Sequence, residues 1–259
     1  MLEFKDVYAG YNGRDIIKDI NFTIKRGESL AIIGPNSCGK TTLLRAAAGI
    51  IQHRGQISLS GSAIDTMKRR DIAEHIAMMS QINHVHFPYS IYETVMMGRY
   101  RFLRKNLFGR PGPQDIKIVE ETLEKTSLMD IKDKSLNILS GGQLQRVYLA
   151  HTLVQEPELI LLDEPTNHMD VKYQIDVVNF LKDWALKEGK AVVGVFHDIN
   201  LAMELTDNLM FMKEGRIHGM GSAQELITST FLEEIYEMDI VSYMVRSLER
   251  WKKFEEDYE

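Results

Sequence analysis

Gly34-Pro35-Asn36-Ser37-Cys38-Gly39-Lys40-Thr41 decides how this chain is read. It follows Leu30-Ala31-Ile32-Ile33, a short apolar run suited to a buried parallel strand, and it precedes a helical segment from Lys40 to about Ala48 that Gly49 stops. Strand, glycine-rich turn and helix in that order, with Lys-Thr at the junction, build a phosphate cradle. Backbone N–H groups of the loop and of the helix N-terminus point at the anion, and Lys40 adds positive charge toward the β and γ oxygens. The Thr41 hydroxyl suits Mg²⁺. A glycine loop that merely turned the chain would not need the Lys-Thr pair.

Outward from the loop, residues 1–25 read as paired strands with turn material at Gly10–Gly13 and at Arg26-Gly27. Gln56–Ser60 reads as strand, and Arg69–Ala77 as a helix ahead of a strand end at Met78-Met79-Ser80-Gln81. Between Pro88 and Gln155 helical segments dominate, in Ser90–Gly98, Gln114–Leu128 and Ser140–Gln155, which predicts an inserted helical subdomain. Alternation resumes with Glu158–Leu162, Asp170–Lys187, Ala191–Phe196 and Asn200–Thr206, then a hairpin around Lys213–Arg216. The expected plan is a single α/β domain over 1–259, with a core at about 1–87 and 156–221, a helical subdomain at about 88–155 and a helical extension at about 222–259. Glu255-Glu256-Asp257-Tyr258-Glu259 reads as a solvated tail.

Leu159-Ile160-Leu161-Leu162-Asp163-Glu164 is a second apolar strand, ending in two adjacent carboxylates. Ligands gather at the C-terminal ends of parallel strands. Asp163 is therefore placed to hold Mg²⁺, mainly through its water shell, and Glu164 to polarise a water in line with the γ-phosphate. Leu139-Ser140-Gly141-Gly142-Gln143 opens a helix, where Ser140 and Gln143 have the spacing of a capping box and, taken alone, need no further role. Two glycines beside a helix N-terminus also expose N–H groups to an anion, and both readings are compatible.

Composition narrows the function. With 259 residues, 44% of them apolar, the chain can bury a sizeable core. A net charge of -6 provides no general attraction to nucleic acid, and none is expected as a partner. The single cysteine, Cys38, excludes an internal disulfide and points to a reducing compartment. No apolar run approaches the roughly 20 residues that span a bilayer, and the first residues lack a secretory core, so a cytoplasmic chain that meets a membrane through a partner is expected.

The phosphate loop, Leu139–Gln143, Asp163-Glu164, Asn167-His168-Met169-Asp170 and His197, in this order and spacing, resemble the ATP-binding cassette family over roughly residues 1–240. The resemblance implies a P-loop NTPase core of RecA-like type with an antiparallel β subdomain and an inserted helical subdomain. It implies an ATPase with ATP and Mg²⁺ as cofactors, and a nucleotide-binding set running from Gly34 through Thr41 to Thr42. It further implies a head-to-tail dimer of two copies, with each ATP between the loop of one chain and Ser140, Gly141, Gly142 and Gln143 of the other. By the same resemblance Gln81 meets Mg²⁺ and water, His197 lies near the γ-phosphate, and Asp170 closes across the dimer. Tyr11 stands where an aromatic stacks on adenine, with Tyr8 as a rival.

Two positions depart from the commoner family pattern. Thr41 in place of serine keeps the hydroxyl; Ser37 in place of glycine adds a Cβ to a loop that must wrap phosphate. Cys38, inside the loop, is expected to be alkylated in competition with ATP.

Gln81–Gly98 with Phe87-Pro88, Phe196–Ala202 and the tail from Gly215 to Val241 look like the importers for iron-siderophore, haem and cobalamin. That implies polytopic permease subunits, an extracytoplasmic substrate-binding protein, and a position on the inner face of the membrane. Phe87, Tyr92, Met96 and Met97 then either contact the permease or pack inward. Gly98–Arg110, mixing basic and aromatic residues, is a loop near the membrane face or simply a solvated one. The competing reading is a soluble ATP-binding cassette ATPase acting as an assembly factor, for instance in sulfur-cluster assembly.

Overall fold

The computed structural model describes residues 1–80, 88–103 and 110–256. Its first elements are β1 (Leu2–Tyr11), β2 (Arg14–Ile24), β3 (Ser29–Ile33), α1 (Lys40–Ala47), β4 (His53–Leu59), β5 (Ser62–Ala63), α2 (Arg69–His75) and β6 (Ile76–Met79). A helical stretch follows: α3 (Ile91–Met97), α4 (Tyr100–Leu103), α5 (Pro113–Lys125) and α6 (Gly141–Leu153). Then come β7 (Leu159–Asp163), α7 (Val171–Glu188), β8 (Ala191–Val195), α8 (Ile199–Leu205), β9 (Asn208–Lys213) and β10 (Arg216–Ser222). The helices α9 (Ala223–Leu226), α10 (Ser229–Tyr236) and α11 (Ile240–Glu256) complete the described chain.

Apolar residues recur through β1 and β2, so the hairpin has one dry face. It joins β4 and β5 in a four-stranded antiparallel sheet of order β2-β1-β4-β5. Residues 30–33, 159–162 and 191–195 are buried on both faces, as a parallel sheet covered by helices requires. They form the centre of a six-stranded sheet of order β10-β9-β3-β8-β7-β6, parallel except for β10.

Alternate residues along these strands enter two cores. Leu30, Ile32, Leu161 and Val193 face Leu43 and Leu44 of α1 and the antiparallel sheet, while Ile33, Ile160 and Leu162 face Val178 and Leu181 of α7. The α/β architecture expected from the sequence is thus present. Several boundaries shift by a few residues, and at α2 the shift has a physical cause: the helix ends at His75, and Ile76-Ala77 pair with Leu159-Ile160 at the start of β6, tertiary pairing overriding a short helical pattern.

Residues 88–155 have a core of their own, where Ile91 and Val95 of α3, Val119 and Leu123 of α5, and Val147 and Ala150 of α6 converge. Met96 belongs to that core and Tyr92 packs against it, whereas Met97 is 43% exposed. Phe87 lies outside the described residues.

The described part of the basic-aromatic segment is partly internal. Arg99 is 3% exposed; its Nε donates to Asp115 Oδ1 at 3.0 Å and its Nη1 to Val154 O at 2.8 Å and Glu156 Oε2 at 2.6 Å. Arg101 donates to Ala73 O at 2.8 Å and to Gln155 O at 2.6 Å, tying the helical unit to α2. These guanidiniums are drawn inward because carbonyls and carboxylates there need donors. Arg104, Lys105 and Phe108 lie outside the described residues. Arg99→Lys keeps the charge but loses the planar fork, so it is expected to lower stability by about 2 kcal/mol, read by denaturant unfolding.

At the C-terminus, Ile240 and Val241 of α11 pack against the core on the α7 side of the sheet, while Leu248, Trp251 and Phe254 are exposed. Glu255 and Glu256, expected in the tail, continue this helix, and residues 257–259 lie outside the described ones. No described helix is long and apolar enough to cross a membrane.

Candidate active site

Three neighbouring parallel strands end at one edge of the large sheet. β3 runs into residues 34–39, β7 into Asp163-Glu164 and β8 into Phe196-His197, with β8 lying between the other two. That order closes long sequence gaps. Thr41 Oγ1 donates to Asp163 Oδ1 at 3.0 Å, and His197 Nε2 lies 2.6 Å from Glu164 Oε1.

The loop is shaped from within and from behind. Gly39 caps α1 at φ 107°, where a side chain is rarely tolerated. Lys40, 6% exposed, donates from Nζ to Gly34 O at 2.7 Å and Pro35 O at 2.9 Å, leaving one of its three N–H groups for another oxygen. Behind the loop, the Gly215 N–H in the β9–β10 turn donates to Cys38 O at 3.0 Å, while Gly215 O accepts from Lys18 N at 2.7 Å. A Cβ on Gly215 would stand 2.0 Å from Ile16 O. Ser37 takes φ 62°, the left-handed region that a Cβ disfavours, so these supports fix a shape its own preference does not.

Cys38 is turned away from the loop's open side. Its side chain lies in the core with Leu43 and Leu44, 6% exposed, and burial raises the thiol pKa although the Lys40 charge pulls it down. Because the thiolate reacts and burial withholds it, alkylation at neutral pH is expected to be at least about 10-fold slower than for an exposed cysteine, checked by timed iodoacetamide labelling with mass spectrometry.

A cleft of about 290 Å³ opens over the loop, lined by Tyr11, Asn36, Ser37, Thr41, Thr42 and Glu164 among others. The Tyr11 hydroxyl accepts from Arg45 Nη1 at 3.0 Å, which fixes its ring at the rim. Tyr8 instead lies 5.3 Å beneath the Arg54 guanidinium and lines a different concavity. Of the two tyrosines, the fold brings Tyr11 to the loop.

Asp163 is 2% exposed, and burial raises its pKa against the Thr41 hydrogen bond and the Arg45 and Lys40 charges. A hydroxyl and a carboxylate side by side fit Mg²⁺, which takes few protein oxygens and completes its octahedron with water and phosphate. In keeping with so sparse a set, no group of three or more His, Cys, Asp or Glu side chains suited to a metal occurs among the described residues.

Ser140 and Gln143 form the expected capping box at the start of α6: Ser140 Oγ accepts from Gln143 N at 3.2 Å, and Gln143 Oε1 accepts from Ser140 N at 3.0 Å. These residues and Gly141 and Gly142 are not among those lining the cleft of their own chain. Asp170 caps α7, accepting from Tyr173 N at 3.2 Å. Gln81 lies outside the described residues. Sequence reasoning named Asn167 only within the Asn167–Asp170 run, with no role of its own, and missed Gln145; Asn167 Nδ2 donates to Glu164 Oε2, and Gln145 Nε2 donates to Glu164 O at 3.0 Å. Asn167 stands three residues past Glu164 and was legible as a neighbour; nothing local marks Gln145.

The model of the family described as ABC transporter matches residues 17–167, more than half of the chain. The iron(3+)-hydroxamate import ATP-binding protein FhuC of Bacillus subtilis (strain 168) is 34% identical over 239 residues, 92% of this chain and 88% of that protein. The uncharacterized ABC transporter ATP-binding protein YvrA of the same strain is 36% identical over 240 residues, which span 92% of this chain but only 54% of YvrA. Among solved structures, the dimeric post-hydrolysis state of the ATP-binding cassette MJ0796 bound to ADP and Pi superposes with a TM-score of 0.76 at 27% identity, over 86% of this chain and 98% of that one.

Proposed function

The chain belongs to the ABC transporter family and is an ABC ATPase, and from that premise we propose that it is the energising subunit of an importer for iron-siderophore, haem or cobalamin. ATP lies with its β- and γ-phosphates on residues 34–39, its adenine against Tyr11, and Thr42 within the same wall. Loop N–H groups and the remaining Lys40 N–H meet the phosphate oxygens. Thr41 and Asp163 would hold Mg²⁺, with Gln81 assigned as a further ligand from the sequence alone; when bound, the ion would neutralise charge on the β and γ oxygens. Glu164 polarises the water that attacks in line and accepts its proton, and His197 meets the γ-phosphate.

Ser140, Gly141, Gly142 and Gln143 serve the nucleotide of a second copy, and Asp170 meets that copy. Isologous closure then gives a head-to-tail dimer with two equivalent sites. Closure moves polytopic permease subunits that receive cargo from an extracytoplasmic binding protein, and hydrolysis resets them. The chain sits on the cytoplasmic face of the membrane. One observation carries this reading: Glu164 lines the same cleft as Lys40 and Thr41, with His197 at 2.6 Å from its carboxylate. The import named for FhuC and the dimer reported for MJ0796 support the assignment of partners.

The test is affinity capture of the tagged chain from detergent-solubilised native membranes, followed by mass spectrometry. A polytopic partner in near-stoichiometric amount is the expected result. Recovery of soluble partners alone would replace the importer with the assembly-factor reading and leave the ATPase untouched.

A further inference from the structure

Glu164 is held from several directions, and the ties come from different parts of the fold. Its backbone takes φ 56°, a left-handed conformation that surrounding contacts must impose on a glutamate. His197, after β8, approaches Oε1, and Asn167, on the loop leaving β7, donates to Oε2. The third tie has another origin: Gln145 reaches from α6 to donate its Nε2 hydrogen to the Glu164 carbonyl at 3.0 Å.

The start of α6 is seated on the same loop. A Cβ on Gly142 would stand 2.9 Å from His168 O and 3.4 Å from Met169 Cα, and one on Gly141 would stand 3.2 Å from His168 Cβ. The loop is fixed in turn on its far side, where Gln174 Nε2 of α7 donates to Thr166 O at 3.2 Å. Residues 141–145 and 164–169 are therefore packed and hydrogen-bonded together. A shift of the first turn of α6 has little freedom to leave Glu164 where it was.

We propose that Gln145 is a positioning residue that couples the N-terminus of α6 to the base. The inference rests on the reading of Glu164 as that base and of Ser140–Gly142 as the contact for a second copy's nucleotide. One helix then serves two sites. Its first residues meet the nucleotide bound on the partner, and Gln145, two residues beyond the capping box, holds the base that acts on the nucleotide of its own chain. Docking of one nucleotide is transmitted to the chemistry of the other through the seat of α6 on this loop, and the Gln145 amide carries it to Glu164. A neutral amide supplies the N–H that a carbonyl needs, and it adds no charge beside the carboxylate.

The experiment compares full-length Gln145→Ala and the near-isosteric Gln145→Glu, which at neutral pH lacks the donor, with the unaltered chain. ATP turnover, KM for ATP and thermal unfolding are measured for each. Misplacing a reacting group without removing it costs rate more than binding. Both variants are expected to lose about 10-fold in kcat, with KM within about twofold and an unchanged unfolding midpoint. An unchanged kcat overturns the proposal, as does a fall in kcat, ATP affinity and unfolding midpoint together, which is the signature of a purely structural contact. Glu164→Gln measured alongside separates the two levels. If that variant is inactive while both Gln145 variants turn over normally, only the coupling fails; if it hydrolyses ATP undiminished, the assignment of the base itself fails.

Discussion

Glu164→Gln is expected to lower ATP turnover by about 10²- to 10³-fold while ATP still binds within a few-fold of its original affinity. The amide is nearly the same size as the carboxylate, and its oxygen can accept from Asn167 as Oε2 does. The NH₂ group then faces His197, whose ring nitrogen accepts in one tautomer, so the local hydrogen bonds survive the exchange. What the amide cannot do is take a proton from water. Phosphate release reads the chemistry, and equilibrium binding of ATP reads the site. With binding intact and turnover blocked, the proposed dimer is expected to accumulate with ATP, visible as a shift in size-exclusion chromatography. Hydrolysis at the original rate would falsify the role given to Glu164.

Lys40→Ala acts at an earlier step, and its expected effect on binding is a loss of about 10²-fold in ATP affinity or more. Hydrogen bonds involving charged groups contribute about 1.5–3 kcal/mol, and each 1.4 kcal/mol is tenfold in affinity. Truncation removes a buried charge that the proposed site directs at the phosphates, and it also strips the donors from Gly34 O and Pro35 O. Both losses work against binding. Titration calorimetry with ATP measures the first, and thermal unfolding without nucleotide shows how far the second disturbs the chain. Affinity within threefold of the original would mean that residues 34–41 are not where the phosphates lie.

The parts of this site that the sequence revealed are those whose chemistry is local. Gly34–Thr41 follows an apolar strand and begins a helix, and Asp163-Glu164 ends another strand; both can be read within about ten residues. The capping box at Ser140 and Gln143 is equally local, and it appears with both its hydrogen bonds. Distinguishing Tyr11 from Tyr8 required the fold, because both belong to β1 and only the position of Arg45 on α1 ties Tyr11 to the loop. The burial of Arg99 was hidden for a similar reason: in a run of basic residues nothing announces that Asp115, Val154 and Glu156 will gather around one guanidinium. The burial of the Cys38 thiol was hidden as well, since membership of the loop says nothing about which way a side chain turns. Gln145 and Glu164 are separated by the rest of α6 and all of β7, and only the packing of that helix back along the strand brings them together.

The β9–β10 turn would ordinarily be chosen by anyone wishing to graft an affinity peptide or a fluorescent protein into a surface hairpin, since such tips usually accept insertions. Here Gly215 offers its N–H to Cys38 and has another backbone against its missing side chain, so the turn serves as the rear wall of the phosphate loop. A graft at that hairpin would produce a well-folded fusion with a disturbed cleft, and its silence in an ATPase assay would be mistaken for a failure of the enzyme. Reporters for this chain belong elsewhere, such as on the solvent side of α11, where no contact with the loop exists among the described bonds.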